Sequence, residues 1–251
     1  MSISIGTPIK TVKNESLAQY LSKVSTEPRK LVKLEIDFIP QIRAKWEKIL
    51  DDRTTDRERA ENAINACYLY TGLERSRILW TENPLTAMKT SIDRLDLVDV
   101  GSKILHQICD RCNQEIERQI EPEFIDVVKA YANPRAQLVG EPQGMAFDPL
   151  GDFLNQVSIS EIQKSYPLLD PQALPPTMQD YRIAYLSYFD YFHQIGIDIP
   201  QIQLLIDLAQ SCGCCWAFES ITILTPKPSA IEFSDRGELL ALIYDGVNIL
   251  E

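Results

Sequence analysis

The sequence is poor in the residues on which most enzyme chemistry depends. It contains two histidines, His106 and His193. A Cys–His or Ser–His nucleophile would have to use one of them, and both read as surface residues. No Gly-x-Ser-x-Gly elbow, Walker loop, dinucleotide fingerprint or His-Glu-x-x-His motif occurs. Carboxylates are plentiful, but no spacing brings a pair of them together. No apolar run approaches the roughly 20 residues needed to cross a bilayer, so no membrane association is expected. Residues Met1 to Pro8 lack a basic region followed by a long apolar stretch, which speaks against a secretory signal and for a cytoplasmic location. Neither an internal repeat nor a low-complexity segment is visible.

Positive charge is also short. Lys and Arg number 25 against 36 Asp and Glu, a net charge of −11, so the average surface repels a polyanion and no nucleic-acid partner is expected. The imbalance is uneven: residues 1–50 hold nine Lys/Arg against five Asp/Glu. Residues 1–34 therefore form a basic N-terminal segment. Either it is a docking arm for an acidic surface, or it is a solvated helix face with Lys10, Lys13, Lys23, Arg29, Lys30 and Lys33 pointing outward.

The 251 residues are enough to bury a substantial core, and 45% apolar with 24% charged residues is ordinary for a folded soluble domain. Residues 35–251 read as a single, predominantly helical domain. Ser16 to Val24 is a short amphipathic stretch closed before Pro28. Ile36, Ile39, Ile42, Trp46 and Leu50 recur at three- and four-residue steps, a helical face. Thr55 with Glu58 three residues on is a capping-box pattern, and the helix it opens carries Ala60, Ile64, Cys67 and Tyr68 on one side and stops at Gly72. Ser76 to Trp80 is β-like. Asn83-Pro84 opens a helix to Leu95, a longer helix spans Leu97 to Ile120, and Pro122 begins another to Ala132.

Residues 133–176 are rich in Pro and Gly and form either a functional lid or a plain connection, with one short helix near Val157–Ser165. Thr177 to Gly196 and Pro200 to Gln210 are helices. After Gly213 the pattern changes: Ile221–Leu224, Ala230–Phe233 and Leu239–Tyr244 read as three short strands with turns at Pro226, Pro228 and Ser234–Gly237. The expected fold class is α+β, mainly helical, ending in a small C-terminal antiparallel β meander packed on helices.

Several sites suggest themselves, each with an ordinary packing explanation. Cys109-x-x-Cys112, with His106 nearby, has the spacing of half a zinc site. At about 100° per residue, however, Cys112 falls within the apolar stripe Ile104, Leu105, Ile108, Ile116, with Cys109 on its flank and His106 opposite. A buried thiol behaves as a small hydrophobe, so core packing is the first reading, and a metal or a redox role the weaker ones. Cys212-Gly213-Cys214-Cys215 is a second cluster, but adjacent cysteines point in different directions. Tyr181, Tyr185, Tyr188 and Phe192 form an aromatic stripe that either packs in the core or grips a peptide.

The stretch Ala184 to Phe192, followed by Leu205–Cys215 and Trp216-Ala217-Phe218-Glu219, resembles an uncharacterised bacterial family, domain of unknown function 6745. That family has such an aromatic helix and then a Gly-Trp-Trp-Trp-Pro-Phe-Glu-like segment leading into strands. Here the segment reads Gly213-Cys214-Cys215-Trp216-Ala217-Phe218-Glu219, with cysteines in place of two tryptophans and Ala217 in place of proline. Thr55 to Tyr70 and Trp80 to Leu85 are similar as well. The family continues with a longer, His- and Gly-containing β tail that the stretch from Tyr244 to Glu251 does not match. The resemblance implies a fold and no mechanism.

Together these readings point to a non-enzymatic accessory module that binds a protein or peptide, with no cofactor. The rivals are an enzyme with a carboxylate-based site under 133–176 and, more weakly, a structural zinc protein using Cys109 and Cys112. The binding candidates are Trp80, Asn83, Trp216 and Glu219, at helix-to-strand junctions, together with Tyr185 and Tyr188.

Overall fold

A computed structural model describes residues 28–94, 97–132, 164, 182–233, 239–245 and 247–248, with residues 130, 182–185, 233, 239–240 and 247–248 described by backbone alone. The described helices are α1 (Lys33–Ile36), α2 (Ile39–Asp51), α3 (Arg57–Tyr70), α4 (Pro84–Ile92), α5 (Gly101–Gln119), α6 (Pro122–Ala132), α7 (Arg182–Gln194) and α8 (Ile202–Ser211). The strands are β1 (Arg77–Trp80), β2 (Cys215–Ala217), β3 (Ile221–Leu224), β4 (Ala230–Phe233), β5 (Leu239–Tyr244) and β6 (Val247–Asn248). The mainly helical α+β class is as expected, and β4–β5–β6 is an antiparallel C-terminal meander.

One strand sits elsewhere. β3 does not join that meander; it is the centre of a separate sheet ordered β1–β3–β2, parallel to β1 and antiparallel to β2. Its residues Ile221–Leu224 are all buried, as suits a strand covered on both faces. The register fixes what each face carries. Ile78, Trp80, Cys215, Ala217, Thr222 and Leu224 share one face, and Leu79, Trp216, Ile221 and Ile223 the other.

The first face meets the main core, built from α2, α3 and α5–α8 around Trp46, Ile64, Ile108, Ile116, Phe189 and Phe192. The second meets a smaller core of Ala87 and Met88 from α4 and Leu242 and Tyr244 from β5. The amphipathic stripe of α5, Ile104, Leu105, Ile108, Cys112 and Ile116, is buried as its 3.6-residue period requires.

Three local expectations change. The helical face begins at Ile39, because α1 ends before Asp37–Phe38 and leaves Ile36 exposed. The N-cap of α3 is Asp56, whose carboxylate accepts the Arg59 N–H at 3.0 Å; Thr55 Oγ1 instead accepts the N–H of Lys227. Arg29 does not point outward: both of its terminal nitrogens donate at 2.8 Å to the fully buried Glu35 carboxylate, which also caps the Val32 N–H. Lys30 and Lys33 are exposed as expected. Ser16–Val24 and the helix near Val157–Ser165, Lys164 aside, lie outside the described residues.

Candidate functional site

The polar row Arg57, Glu61, Asn65 runs along α3 at four-residue steps and therefore shares one side of the helix. That side meets Trp80, the last residue of β1. The indole N–H of Trp80 donates to Glu61 Oε1 at 2.8 Å, and the Arg57 guanidinium lies 5.0 Å from the ring centroid, within cation–π range. One turn beyond Glu61, the side-chain oxygen of Asn65 is buried with no hydrogen-bond partner among the described residues. Trp80 is half-buried, with its base packed on the main core.

The backbone of β1 adds the second component. Arg77 N–H donates to Ser220 O at 3.1 Å and Thr81 N–H to Leu224 O at 2.9 Å. In a parallel ladder alternate residues share one bonding direction, so Arg77, Leu79 and Thr81 turn their peptide groups toward β3. Those of Ile78 and Trp80 point to the other side, where no backbone partner lies among the described residues. The opposite edge of the same sheet is closed. Along β2, Val100 N–H donates to Ala217 O at 2.9 Å and Glu219 N–H to Val98 O at 3.0 Å, with an Asp99–Phe218 bridge between them.

The other expected candidates do not assemble around Trp80. Trp216 is on the opposite face of the sheet, 1% exposed, with its indole N–H buried and without a partner among the described residues, so it cannot meet an external ligand. Asn83 is the N-cap of α4, accepting the Thr86 N–H at 2.9 Å. Glu219 is exposed beyond the end of β2. Tyr188 is 2% exposed, packed edge-on against Phe189 and Phe192 beneath Lys129, and is a core residue, not a gripping one. The backbone of Tyr185 is in the first turn of α7, and its side chain lies outside the described residues.

Burial pushes the thiols of Cys109 and Cys112 up to about 12. Both are therefore neutral thiols at physiological pH, as suits side chains packed against the core. Cys112 accepts a hydrogen bond from Gln201 Nε2 at 3.3 Å. Among the described residues no group of three or more His, Cys, Asp or Glu is placed to hold a metal ion. His106 is exposed as expected, whereas His193 is half-buried.

Two polar clusters escaped the sequence because their members lie far apart along the chain. Asp190, fully buried on α7, accepts from Lys45 Nζ at 2.6 Å, Trp46 Nε1 at 2.8 Å and Gln194 Nε2 at 3.4 Å. Ser76, Thr222 and Tyr68 form a buried hydroxyl chain that ends with Tyr68 donating to Phe218 O at 2.6 Å. Burial raises the Tyr68 phenol to about 12, which keeps it a donor. Both clusters tie elements together inside the protein. The 133–176 connection, under which the rival enzyme site was expected, lies outside the described residues except for Lys164.

Comparison with protein-family models, curated proteins and solved structures finds no match to this chain. Among the described residues no helix is long and apolar enough to cross a membrane.

Proposed function

We propose that this protein is a non-enzymatic binding module that takes up an extended segment of a partner protein or peptide as an added strand along β1. The reading rests on one observation: the N–H and C=O groups of Ile78 and Trp80 face away from β3 without partners among the described residues, while the far edge of the sheet is capped. Strand addition at such an edge draws affinity from main-chain hydrogen bonds and specificity from side-chain neighbours. Two N–H and two C=O groups at about 0.5–1.5 kcal/mol each offer about 2–6 kcal/mol before the cost of ordering the ligand. Trp80 supplies a half-exposed aromatic beside them, held upright by Glu61 and flanked by Arg57.

The stretches that build this edge, α3 and Trp80–Leu85, are also ones on which the resemblance to the bacterial family rests. The six cysteines, thiols of which five are buried, suit a reducing compartment and so a cytoplasmic location.

The test is selection of binders from a displayed library of random peptides, followed by amide hydrogen exchange on the complex. Selected peptides are expected to slow exchange at Ile78 and Trp80, and to lose binding to Ile78→Pro. The Ile78 nitrogen faces away from β3, so proline there keeps the ladder and removes the outward donor, at the cost of the isoleucine's packing on the main core, which Ile78→Ala controls for. Failure to enrich any peptide, or equal binding to Ile78→Pro, would sink the proposal.

A further inference from the structure

We infer that the segment taken up beside β1 is acidic, with carboxylates opposite Arg75 and Arg77; this rests on the strand-addition reading above. Arg77 and Leu79 share one face of β1, and alternation carried two residues back from the strand would set Arg75 on the same side. Both arginines are exposed, and neither guanidinium has a hydrogen-bond or ion-pair partner among the described residues. The neighbouring strand cannot satisfy them, because β3 presents only Ile221, Thr222, Ile223 and Leu224. Glu219, the acid closest to β3 in sequence, makes no ion pair with either one.

The two cations stand beside an edge that has no backbone partner among the described residues. An incoming strand sets its side chains directly across from those of β1, where opposite charges attract and like charges repel. A strand with acids at alternate positions answers Arg75 and Arg77, and its next residue on that face meets Leu79. Its opposite face turns toward Ile78 and Trp80, where apolar or β-branched residues fit. The ligand pattern is therefore acid, apolar, acid, apolar in extended form.

The experiment compares two acetylated, amidated peptides at low salt by fluorescence anisotropy: Thr-Val-Asp-Val-Asp-Val-Thr and its counterpart with lysine for both aspartates. Amide exchange at Ile78 and Trp80 is followed in parallel. The aspartate peptide is expected to bind roughly tenfold tighter, from two cross-strand charge pairs exchanged for two repulsions, and added salt should shrink the gap. Arg75→Glu/Arg77→Glu, both exposed positions, should reverse the preference while far-UV circular dichroism stays unchanged. Equal affinity of the two peptides, with both amides protected, would overturn the acidic preference and leave strand addition standing. Protection by neither peptide would overturn strand addition and this inference with it.

Discussion

Removing the Asp190 carboxylate should loosen the joint between α2 and α7 far more than removing its lysine partner. The side chain is fully buried and accepts the Trp46 indole N–H, itself fully enclosed. Asp190→Ala leaves that N–H buried and unpaired, which costs about 1–3 kcal/mol, and opens a small void beside it. The Lys45 pair adds little, because the lysine side chain is 39% exposed and water screens it, so about 0–1 kcal/mol is its share. The sum is about 1–4 kcal/mol, a fall in melting temperature of several degrees for a chain of this size. Asp190→Asn keeps an oxygen for the indole and should lose about half as much, and Lys45→Ala about 1 kcal/mol or less. Urea unfolding, followed by tryptophan fluorescence and circular dichroism, measures all three. The reasoning fails if Asp190→Ala falls within about 0.5 kcal/mol of the parent, or if Lys45→Ala proves the more damaging change.

Two further outcomes follow from particular residues. At Gly213 an added Cβ would run into the Pro226 carbonyl and lie 2.7 Å from Thr225 Oγ1, the group that accepts the Cys214 N–H. Gly213→Ala should therefore cost about 2–4 kcal/mol in urea unfolding, and a change under about 0.5 kcal/mol would show that the loop gives way. Cys109 and Cys112 rise from an ordinary 9.0 to about 12, chiefly through burial. A folded-state value above the unfolded one means stability is complete below pH 9 and is lost as pH climbs toward 12. Under reducing conditions unfolding midpoints should fall as the pH rises past 9, by about 1.4 kcal/mol per pH unit per thiol. Cys112→Ala should flatten the slope, and a profile unchanged between roughly pH 8 and 10 would refute the assignment.

The helical layer is legible in the sequence because each helix carries its own evidence. The α5 stripe Ile104, Leu105, Ile108, Cys112, Ile116 is a local period, and it alone put Cys112 inside the core. Asn83-Pro84 announces the start of α4 in the same local way. Where two local signals compete, the period is not enough. Thr55 and Asp56 both cap well, and the choice fell to Asp56 because the Thr55 hydroxyl is taken by Lys227, 172 positions away. The placement of β3 was beyond reach for the same reason. Alternation tells that a strand has two faces, not which strand it pairs with, and β1 lies well over a hundred residues upstream. The site suffered most. Trp80 stood out as a residue, but Arg57, Glu61 and Asn65 form only a polar row until β1 delivers the ring against them.

A free β edge is a hazard as well as an opening, since it accepts any extended chain that reaches it. The means by which this edge limits that hazard bear on its use. β1 is four residues long, too short to hold a partner by backbone bonds alone once ordering costs are met. In a parallel, in-register pairing of two copies, Arg75 and Arg77 would each face their own kind, and like charges directly opposite are destabilising. The same two guanidiniums reward a carboxylate in that position. A short ladder that depends on side-chain help, with side chains of one sign, discriminates by charge before it discriminates by shape. If β1 takes up a strand as proposed, the electrostatics of that strand, more than its length or its apolar content, should decide whether it is held there.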